Sequence, residues 1–388
     1  LQIRDLLIHH TGLPAVSGGT IWYGSDYTPE QIIPKIRYIK PVSSFRSEYA
    51  YQNITFLVAG QIISAITDTS WDQFIHKRVF FPVDMTRSTT SQKELRKLDN
   101  VATPHAIIDE KLTAIEYRSH DNIGPAASIN SCVSDLLNYV KLILNQGKFD
   151  SRQVVSKETI NKITSPEVSI PVTSTPKELQ HMQNNFKAYG FGWFIKDYRG
   201  EKVVYHTGGV DGNRSIIIML PWKKLGIVVL TNQEQWRIYN CIAYRIIDRL
   251  MDYPEFDYIK AYKKDLDIEK AEEQEKWKEW LENRTPDTKP SLNLHQYCGT
   301  YHDKMYGDVF VLLKNRKLRL NFSHTPAFQA ELEHWHYDTF KIIWDDPYIP
   351  DGLLTFKLDS KARVERIDFN QPALLDVDFE ELDLIKID

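Results

Sequence analysis

The chain has 388 residues, of which 42% are hydrophobic, and its formal net charge is −4. This length is too great for one ordinary hydrophobic core, so we expect two domains. The slight acidic excess argues against a nucleic-acid-binding protein, and no apolar run is long enough to span a bilayer.

The three cysteines, Cys132, Cys241 and Cys298, are far apart and odd in number. They predict neither a disulfide framework nor a Cys-x-x-Cys site, so the redox compartment stays open. At the N-terminus, Leu1 is not an initiator methionine, and residues 1–8 are already amphipathic. We therefore expect further residues upstream, including any targeting peptide.

The first informative stretch is Tyr51-Gln52-Asn53, which precedes a run of helical character. Ile54, Leu57 and Val58 recur at three- and four-residue steps, which indicates a helix with one buried face. The start of such a helix can hold a phenol and a carboxamide at a fixed spacing towards a cleft. The plainer alternative is a tyrosine ring packed on the core with its hydroxyl in water.

The next segments have mixed periodicity. A capping box at Ser70 predicts a helix that ends before Pro82, and residues 85–123 are typical of loops and short strands. Another helix is expected from Ser134 to Leu144. The period then changes, and antiparallel strands are predicted at Tyr189–Lys196, Lys202–His206, Arg214–Leu220 and Gly226–Thr231.

The C-terminal third begins with a helix expected from about Gln235 to Met251. Its apolar positions should cover one face of the sheet, and they are Ile238, Ile242, Ile246 and Leu250. Residues 253–284 carry dense charge of both signs, which is typical of a solvated helix. A linker at 285–291 precedes strands of a small all-β domain, predicted at Val309–Lys314, Lys317–Phe322, Thr339–Trp344, Leu353–Leu358 and Val364–Phe369.

Two further stretches could take part in chemistry. The stretch His206-Thr207-Gly208-Gly209 ends a predicted strand, and its glycines allow a ligand to approach backbone N–H groups that could stabilise an oxyanion. A strand that simply ends in a glycine turn is the alternative. His334 and His336 share one face of a strand, but they lack a third ligand, so we expect no metal site. No dinucleotide or phosphate-binding motif is present, and we expect no cofactor.

The order of these segments resembles the serine hydrolases related to class C β-lactamases, penicillin-binding DD-peptidases and the esterases that share their fold. Residues 3–14 are similar to the family's "IRxLLxHTSGLP", and Tyr51-Gln52-Asn53 corresponds to its Tyr-x-Asn motif. The remaining matches are residues 125–136 to "GGxxSTxxDL", with Ala127-Ser128 where two glycines are usual, residues 189–193 to "YGxGW", and His206-Thr207-Gly208 to Lys-Thr-Gly.

This resemblance implies an α+β fold with a β-lactamase/transpeptidase-like antiparallel sheet flanked by helices and a small C-terminal all-β domain. The implied division is a hydrolase domain at 1–252, a charged helix and linker at 253–290, and a β-barrel-like or sandwich-like domain at 291–388. By the same resemblance, the protein is expected to be periplasmic or secreted. Its partner is expected to be a small-molecule or peptide substrate.

The resemblance also implies the roles of the site residues. Tyr51 is the expected general base, with its pKa lowered by the family's lysine and by His206 if that group is charged. Asn53 orients the substrate amide or the lysine, and the Gly209 N–H contributes to the oxyanion hole, while Thr207 and Gly208 bind substrate.

The family's nucleophile lies in a Ser-x-x-Lys motif upstream of the segment that matches residue 1. The one such pattern in this chain is Ser174-Thr175-Pro176-Lys177, and its proline does not suit the required helical turn. Two functions are therefore expected. The first is an acyl-enzyme hydrolase acting on an ester, amide or β-lactam carbonyl, and the alternative is a catalytically silent binding protein.

Overall fold

The structure, a computed structural model, describes residues 1–388. Two compact units are present, and each combines separate stretches of the chain. We call the first the sheet unit, comprising Leu1–Gly12, Ser43–Tyr51 and Thr55–Glu273, and the second the barrel unit, comprising Leu13–Val42, Gln52–Ile54 and Gln274–Asp388. The sequence boundaries at 252 and 290 stay a prediction.

The helices vary widely in length. They are α1 Ile3–Leu7, α2 Gly19–Trp22, α3 Pro29–Lys35, α4 Asn53–Thr67, α5 Trp71–Ile75, α6 Gln92–Leu95, α7 Gly124–Ala127, α8 Val133–Leu144, α9 Lys157–Ile163, α10 Trp236–Leu250, α11 Tyr258–Glu282 and α12 Leu294–Tyr297. Short 3-10 segments lie at Ile36–Tyr38, Phe81–Val83, Asp121–Ile123, Lys177–Met182, Pro221–Lys223 and Phe379–Glu381, and a π turn lies at His76–Phe80.

The strands form one larger sheet, one barrel and two small hairpins. They are β1 His105–Ile108, β2 Lys111–Ala114, β3 Lys148–Phe149, β4 Arg152–Gln153, β5 Val168–Ser169, β6 Lys187–Tyr189, β7 Phe194–Tyr198, β8 Glu201–Val210, β9 Asn213–Leu220, β10 Leu225–Thr231, β11 Gly299–Asp303, β12 Gly307–Lys314, β13 Lys317–Phe322, β14 Gln329–His336, β15 Thr339–Trp344, β16 Gly352–Leu358, β17 Val364–Asn370 and β18 Leu384–Lys386.

The sheet unit is organised around a six-stranded antiparallel sheet in the order β10-β9-β8-β7-β6-β5. Neighbouring residues of one strand point to opposite faces, so Val203 packs in the core beneath α10 and Val204 packs in the core beneath α8. Ile218 likewise packs in the core beneath α10, and Met219 packs in the core beneath α8. The sheet is therefore covered on both faces, which confirms the predicted antiparallel sheet flanked by helices.

The orientation expected for α10 was wrong. Ile238, Ile242, Ile246 and Leu250 are between 38% and 59% exposed, whereas Ile247 is fully buried. The buried face instead carries Tyr239, Ala243, Tyr244 and Ile247. The tyrosine rings and the alanine of this face pack against the sheet. The opposite face of α10, with its more regular spacing of isoleucines, is therefore directed towards solvent.

The strand predicted at Tyr189–Lys196 was also wrong in part. Its first residue ends β6, and β7 begins only at Phe194. Between them Gly192 adopts a φ of +84°, and the Gly190 N–H donates to the Trp193 carbonyl at 2.8 Å. Glycine readily adopts this left-handed conformation, so the "YGxGW" stretch is a tight turn joining two strands.

A buried polar network holds α10 and α11 against the sheet. The hydroxyls of Tyr198 and Tyr258 each donate to the carboxylate of Asp248 at 2.6 Å. Burial raises the pKa of Tyr198 to about 12, so this hydroxyl keeps its proton at neutral pH. The network fixes the first turn of the charged helix, in which Ala261 and Tyr262 are also buried.

In the barrel unit, β11 to β18 form a closed eight-stranded barrel. Alternate residues of its strands fill the interior, as in β12, where Val309 and Val311 are buried. Residues 13–42 pack with the barrel in the same unit. The Tyr23 ring stacks on Phe328 with centroids 5.6 Å apart, and the Tyr27 hydroxyl donates to the Tyr306 carbonyl at 3.3 Å.

No helix in the structure combines the length and apolar character needed to cross a membrane.

Candidate active site

Tyr51 is held in place by the first segment of the chain. Residues 9–12 pair with the stretch that leads to Tyr51, because the Ala50 N–H donates to the His9 carbonyl at 3.0 Å and the Ser43 N–H donates to the Gly12 carbonyl at 3.3 Å. The pairing requires positive φ at two residues, +57° at His9 and +84° at Gly12. The stretch that contains "HTGLP" therefore holds the segment before Tyr51 through backbone hydrogen bonds.

A second anchor lies on α1. The Arg46 guanidinium donates to both carboxylate oxygens of Asp5, at 2.8 and 2.9 Å. The hydrogen bonds from Arg46 hold the pKa of this buried carboxyl at about 2. The bidentate pair fixes the loop that precedes Tyr51.

The Tyr51 ring lies in an aromatic cluster. Its centroid is 4.5 Å from that of His9, 6.4 Å from Phe194 and 6.3 Å from His206. Tyr189 completes the cluster and lies 4.8 Å from His9. The structure thus brings together two residues predicted for the site, Tyr51 and His206, that are far apart in sequence.

His9 is the most buried of these groups. It has no solvent exposure, and burial lowers its pKa to about 3, with a smaller contribution from His206. His9 is therefore a neutral ring beneath Tyr51 at physiological pH. The sequence motifs predict no catalytic role for His9. The sequence signal that could have pointed to His9 is its position within residues 3–14, which are similar to the family's opening motif.

His206 bridges two neighbours. Its Nδ1 is 2.7 Å from the Thr207 carbonyl, and its Nε2 is 3.3 Å from the Tyr189 hydroxyl. A carbonyl can only accept, so Nδ1 carries the proton and Nε2 accepts from Tyr189. Burial lowers the pKa of His206, and the bond to Thr207 opposes this only in part. The imidazole is thus neutral at pH 7. It therefore has no positive charge with which to lower the pKa of Tyr51, which was the condition stated for its influence on that residue.

The strand that carries His206 has one open edge. Pairing of β8 with β7 ends at Tyr205, whereas pairing with β9 continues to Val210. Residues 206–210, including Thr207, Gly208 and Gly209, are therefore paired on one side only. Such an edge can accept an extended substrate through its backbone N–H groups, whereas the carbonyls of Thr207 and Val210 already accept from His206 and Arg214.

The turn after this edge is braced. The Arg118 guanidinium donates to the buried Asp211 carboxylate at 2.7 Å, and the Gly212 N–H donates to Glu234 at 3.1 Å. Gly212 has a φ of +68°, and a Cβ there would lie 2.5 Å from Pro104. These contacts hold the end of β8 in one position.

A cavity of about 290 Å³ lies on the sheet face beneath α10. Thr207 lines it together with Lys187, Lys196 and Tyr239, but His206 does not. Phe194 also lines this cavity, so the cavity adjoins the aromatic cluster around Tyr51. Of the residues predicted for the site, Thr207 is the one that lines this cavity.

Asn53 has a different environment from Tyr51. It is the first residue of α4, it belongs to the barrel unit, and it is buried. Its Nδ2 donates to the Asp376 carboxylate at 2.8 Å. Beside it, the side chain of Gln52 donates to the Ser17 hydroxyl at 3.3 Å. Nothing in the sequence pattern indicated that a residue more than three hundred positions away would bind Asn53.

Comparison with known proteins gives matches along most of the chain. A family model described as Beta-lactamase matches residues 1–248, and one described as Domain of unknown function (DUF3471) matches residues 283–386. The chain is 25% identical over 365 residues to Unguisins hydrolase ungD of Aspergillus violaceofuscus, which covers 87% of this chain and 64% of that protein. It is 26% identical over 191 residues to Protein flp of Staphylococcus aureus, covering 48% of this chain and 33% of that protein. The chain thus spans less than two thirds of the length of these relatives.

Among solved structures, the octameric penicillin-binding protein homologue from Pyrococcus abyssi matches with a TM-score of 0.57 and 22% identity, over 100% of this chain and 78% of that one. At this identity the likeness concerns the fold. Because the Beta-lactamase model spans residues 1–248 of 388, and because the sheet with its flanking helices lies within that span, the chain belongs to the Beta-lactamase family.

Proposed function

We propose that this protein is a serine hydrolase that forms an acyl-enzyme with an ester, amide or β-lactam carbonyl. The observation that carries the proposal is Tyr51 packed beside His206 at the open edge of β8. A phenol beside a strand edge with free N–H groups can serve acyl transfer, since the edge can stabilise an oxyanion while the phenol transfers protons.

The proposed nucleophile is a serine of a Ser-x-x-Lys motif outside residues 1–388. Ser174 and Lys177 do not supply it. Ser174 is exposed in a loop, Lys177 is exposed at the start of the 3-10 segment Lys177–Met182, and the intervening Pro176 is extended, with φ −48° and ψ 145°. They therefore do not share the helical turn that would place a lysine beside the serine.

In the proposed reaction the serine Oγ attacks the substrate carbonyl, and Tyr51 takes the serine proton. The oxyanion is held by the Gly209 N–H together with the N–H of the serine. Tyr51 then passes the proton to the leaving group, and water hydrolyses the acyl-enzyme by the same route in reverse. Asn53 orients the substrate, and Thr207 and Gly208 contact it along β8.

The neutral state of His206 bears on the substrate class. A lysine at this position would supply a fixed positive charge for a substrate carboxylate, but the lowered pKa of His206 leaves none at pH 7. We therefore propose uncharged esters or peptide amides as better substrates than β-lactams or peptides that depend on a free carboxylate.

The first test is intact-mass measurement of the full-length protein after incubation with a fluorophosphonate. A stoichiometric adduct that maps to a serine is expected. A folded protein that gives no adduct would contradict the hydrolase proposal. That outcome would favour the catalytically silent binding protein, which the lack of a suitable Ser-x-x-Lys within residues 1–388 keeps as the second candidate.

The second test is the substitution Tyr51→Phe in the full-length protein. Loss of the proposed general base should lower the acylation rate by roughly 10²- to 10⁴-fold, measured by stopped-flow with a chromogenic ester. Tyr49→Phe is the matched control. Tyr49 packs against Tyr189 in the same aromatic cluster, and its buried hydroxyl has no hydrogen-bond partner. Similar rates for wild type and Tyr51→Phe would refute the assignment.

A further inference from the structure

The cavity beneath α10 contains two lysines that lie opposite each other on neighbouring strands. Lys187 of β6 and Lys196 of β7 are paired in the antiparallel register, and both line the cavity. Side chains of directly paired residues share one face of a sheet, and like charges in such a pair are destabilising. The pair therefore costs free energy unless another group offsets its two positive charges.

Both ammonium groups contact aromatic rings, and neither forms an ion pair with a carboxylate. Lys187 Nζ lies 5.4 Å from the centroid of the Phe194 ring, and Lys196 Nζ lies 4.9 Å from that of Tyr205. A ring attracts a cation, but an ammonium group also has three N–H donors for which an anion is the better acceptor. Burial lowers the pKa of both lysines, and the charge of Lys196 lowers the pKa of Lys187 further. An anion between the two groups would relieve this cost.

The carboxylates around the cavity are engaged elsewhere. Asp197 accepts from the backbone N–H groups of Asn185 and Phe186, at 2.7 and 3.1 Å. It follows a cavity-lining residue in β7, so its side chain is directed to the opposite face of the sheet. On α11, Asp265 pairs with Arg237 at 2.7 Å. A group that neutralises the two lysines must therefore come from a ligand.

The remaining walls of the cavity are largely aromatic. Trp236 is 37% exposed, and its ring meets that of Tyr262 edge-on with centroids 5.8 Å apart. Phe194 and Tyr239 line the cavity as well, and the Asn240 amide can donate to an anion. The volume of about 290 Å³ is near the lower limit for small-molecule sites. These walls suit one flat ring that carries a short acidic group.

We propose that this cavity binds a small aromatic carboxylic acid, with the carboxylate between Lys187 and Lys196 and the ring against the aromatic walls. Every residue of this site belongs to the sheet unit. The inference goes beyond the proposed hydrolase reaction and does not depend on it, because binding requires neither Tyr51 nor the serine.

The test is isothermal titration calorimetry of the full-length protein with three probes. Phenylacetate has both the ring and the charge, phenylacetamide keeps the ring without the charge, and acetate keeps the charge without the ring. We expect phenylacetate to bind and the other two to bind at least about tenfold more weakly. No binding of phenylacetate, or equal binding of either of the other probes, would overturn the inference.

Two substitutions test the lysines separately. Lys187→Met and Lys196→Met should each weaken phenylacetate binding roughly 10- to 100-fold and leave the weak binding of phenylacetamide unchanged within about twofold. The matched control is Lys223→Met, which removes a charge paired with Glu201 at 3.1 Å outside the cavity. It should change the phenylacetate affinity less than about twofold. Circular dichroism checks folding, and if one lysine variant is unfolded, the other decides the question.

The outcomes also separate this inference from the hydrolase proposal. Unchanged phenylacetate affinity in the folded lysine variants, or an equal loss in Lys223→Met, would refute the site. A protein that binds phenylacetate through the two lysines but gives no fluorophosphonate adduct would refute the hydrolase proposal alone. A protein that gives the adduct but does not bind phenylacetate would refute this inference alone.

Discussion

At the scale of single residues, the site is defined by neutral aromatic groups in place of charges. His9 and His206 are both desolvated, and both have lowered pKa values. Burial also raises the pKa of Tyr189 well above its usual value, so the hydroxyl that contacts His206 keeps its proton. These side chains are all neutral, whereas the family's Lys-Thr-Gly motif implies a site with a charged lysine.

This arrangement predicts the pH dependence of catalysis. A lowered pKa means that His206 gains a proton only below its ordinary value of about 6.5 and stays neutral above it. We expect kcat/KM for a neutral ester to show no ionisation near pH 6.5 when measured from about pH 5.5 to 8. The matched variant is His206→Gln. An acidic limb near pH 6.5 in the wild type that disappears in His206→Gln would show that the histidine titrates normally.

At the scale of elements, α10 shows how a helix can bury the less regular of its two faces. Its outward face carries isoleucines four residues apart, while its inward face mixes Tyr239, Ala243, Tyr244 and Ile247. Periodicity alone gives the spacing of apolar residues but does not identify which apolar face meets the sheet. Fit against the strands decides that point, because interiors are close-packed.

Two adjacent isoleucines of α10 test this orientation. Ile247→Ala should lower the free energy of unfolding by about 2–5 kcal/mol, because it opens a cavity in the core. Ile246→Ala removes the same atoms from a side chain that is 38% exposed and should cost less than about 1 kcal/mol. Urea unfolding followed by circular dichroism measures both. Equal costs, or a larger cost at Ile246, would contradict the observed orientation.

At the scale of the whole molecule, each of the two compact units is built from separate stretches of the chain. Residues 13–42 precede the whole sheet in sequence, yet they belong to the same compact unit as the barrel. Within that unit Tyr23, Tyr27 and Ile32 are buried. A segment early in this sequence therefore packs with strands that lie more than two hundred residues further along the chain.

This organisation predicts the outcome of a truncation. A chain that ends at residue 290 loses the barrel, so the buried Tyr23 and Tyr27 lose their contacts with Phe328 and His324. We expect low soluble yield and increased binding of an apolar dye, compared with the intact chain. A truncated chain that is soluble, monomeric and unchanged in dye binding would contradict the assignment of residues 13–42 to the barrel unit.

Local patterns predicted much of this architecture. The helix at 133–144, the antiparallel sheet and the barrel strands β12, β13, β15, β16 and β17 follow from periodicity and turn residues, which act over a few positions. The family resemblance rested on motifs, and the matched family confirms it. The roles of Tyr51, Asn53, His206, Thr207, Gly208 and Gly209 stay predictions.

From the sequence alone, the longer helices, most of the longer strands and the residues that could do chemistry could be identified. Tertiary structure decided the rest: the inward face of α10, the turn between β6 and β7, the neutral state of His206 and the bond from Asn53 to Asp376. The physical reason is range. Helical spacing and turns depend on near neighbours in the chain, whereas desolvation, close packing and hydrogen bonds depend on residues that only folding brings together.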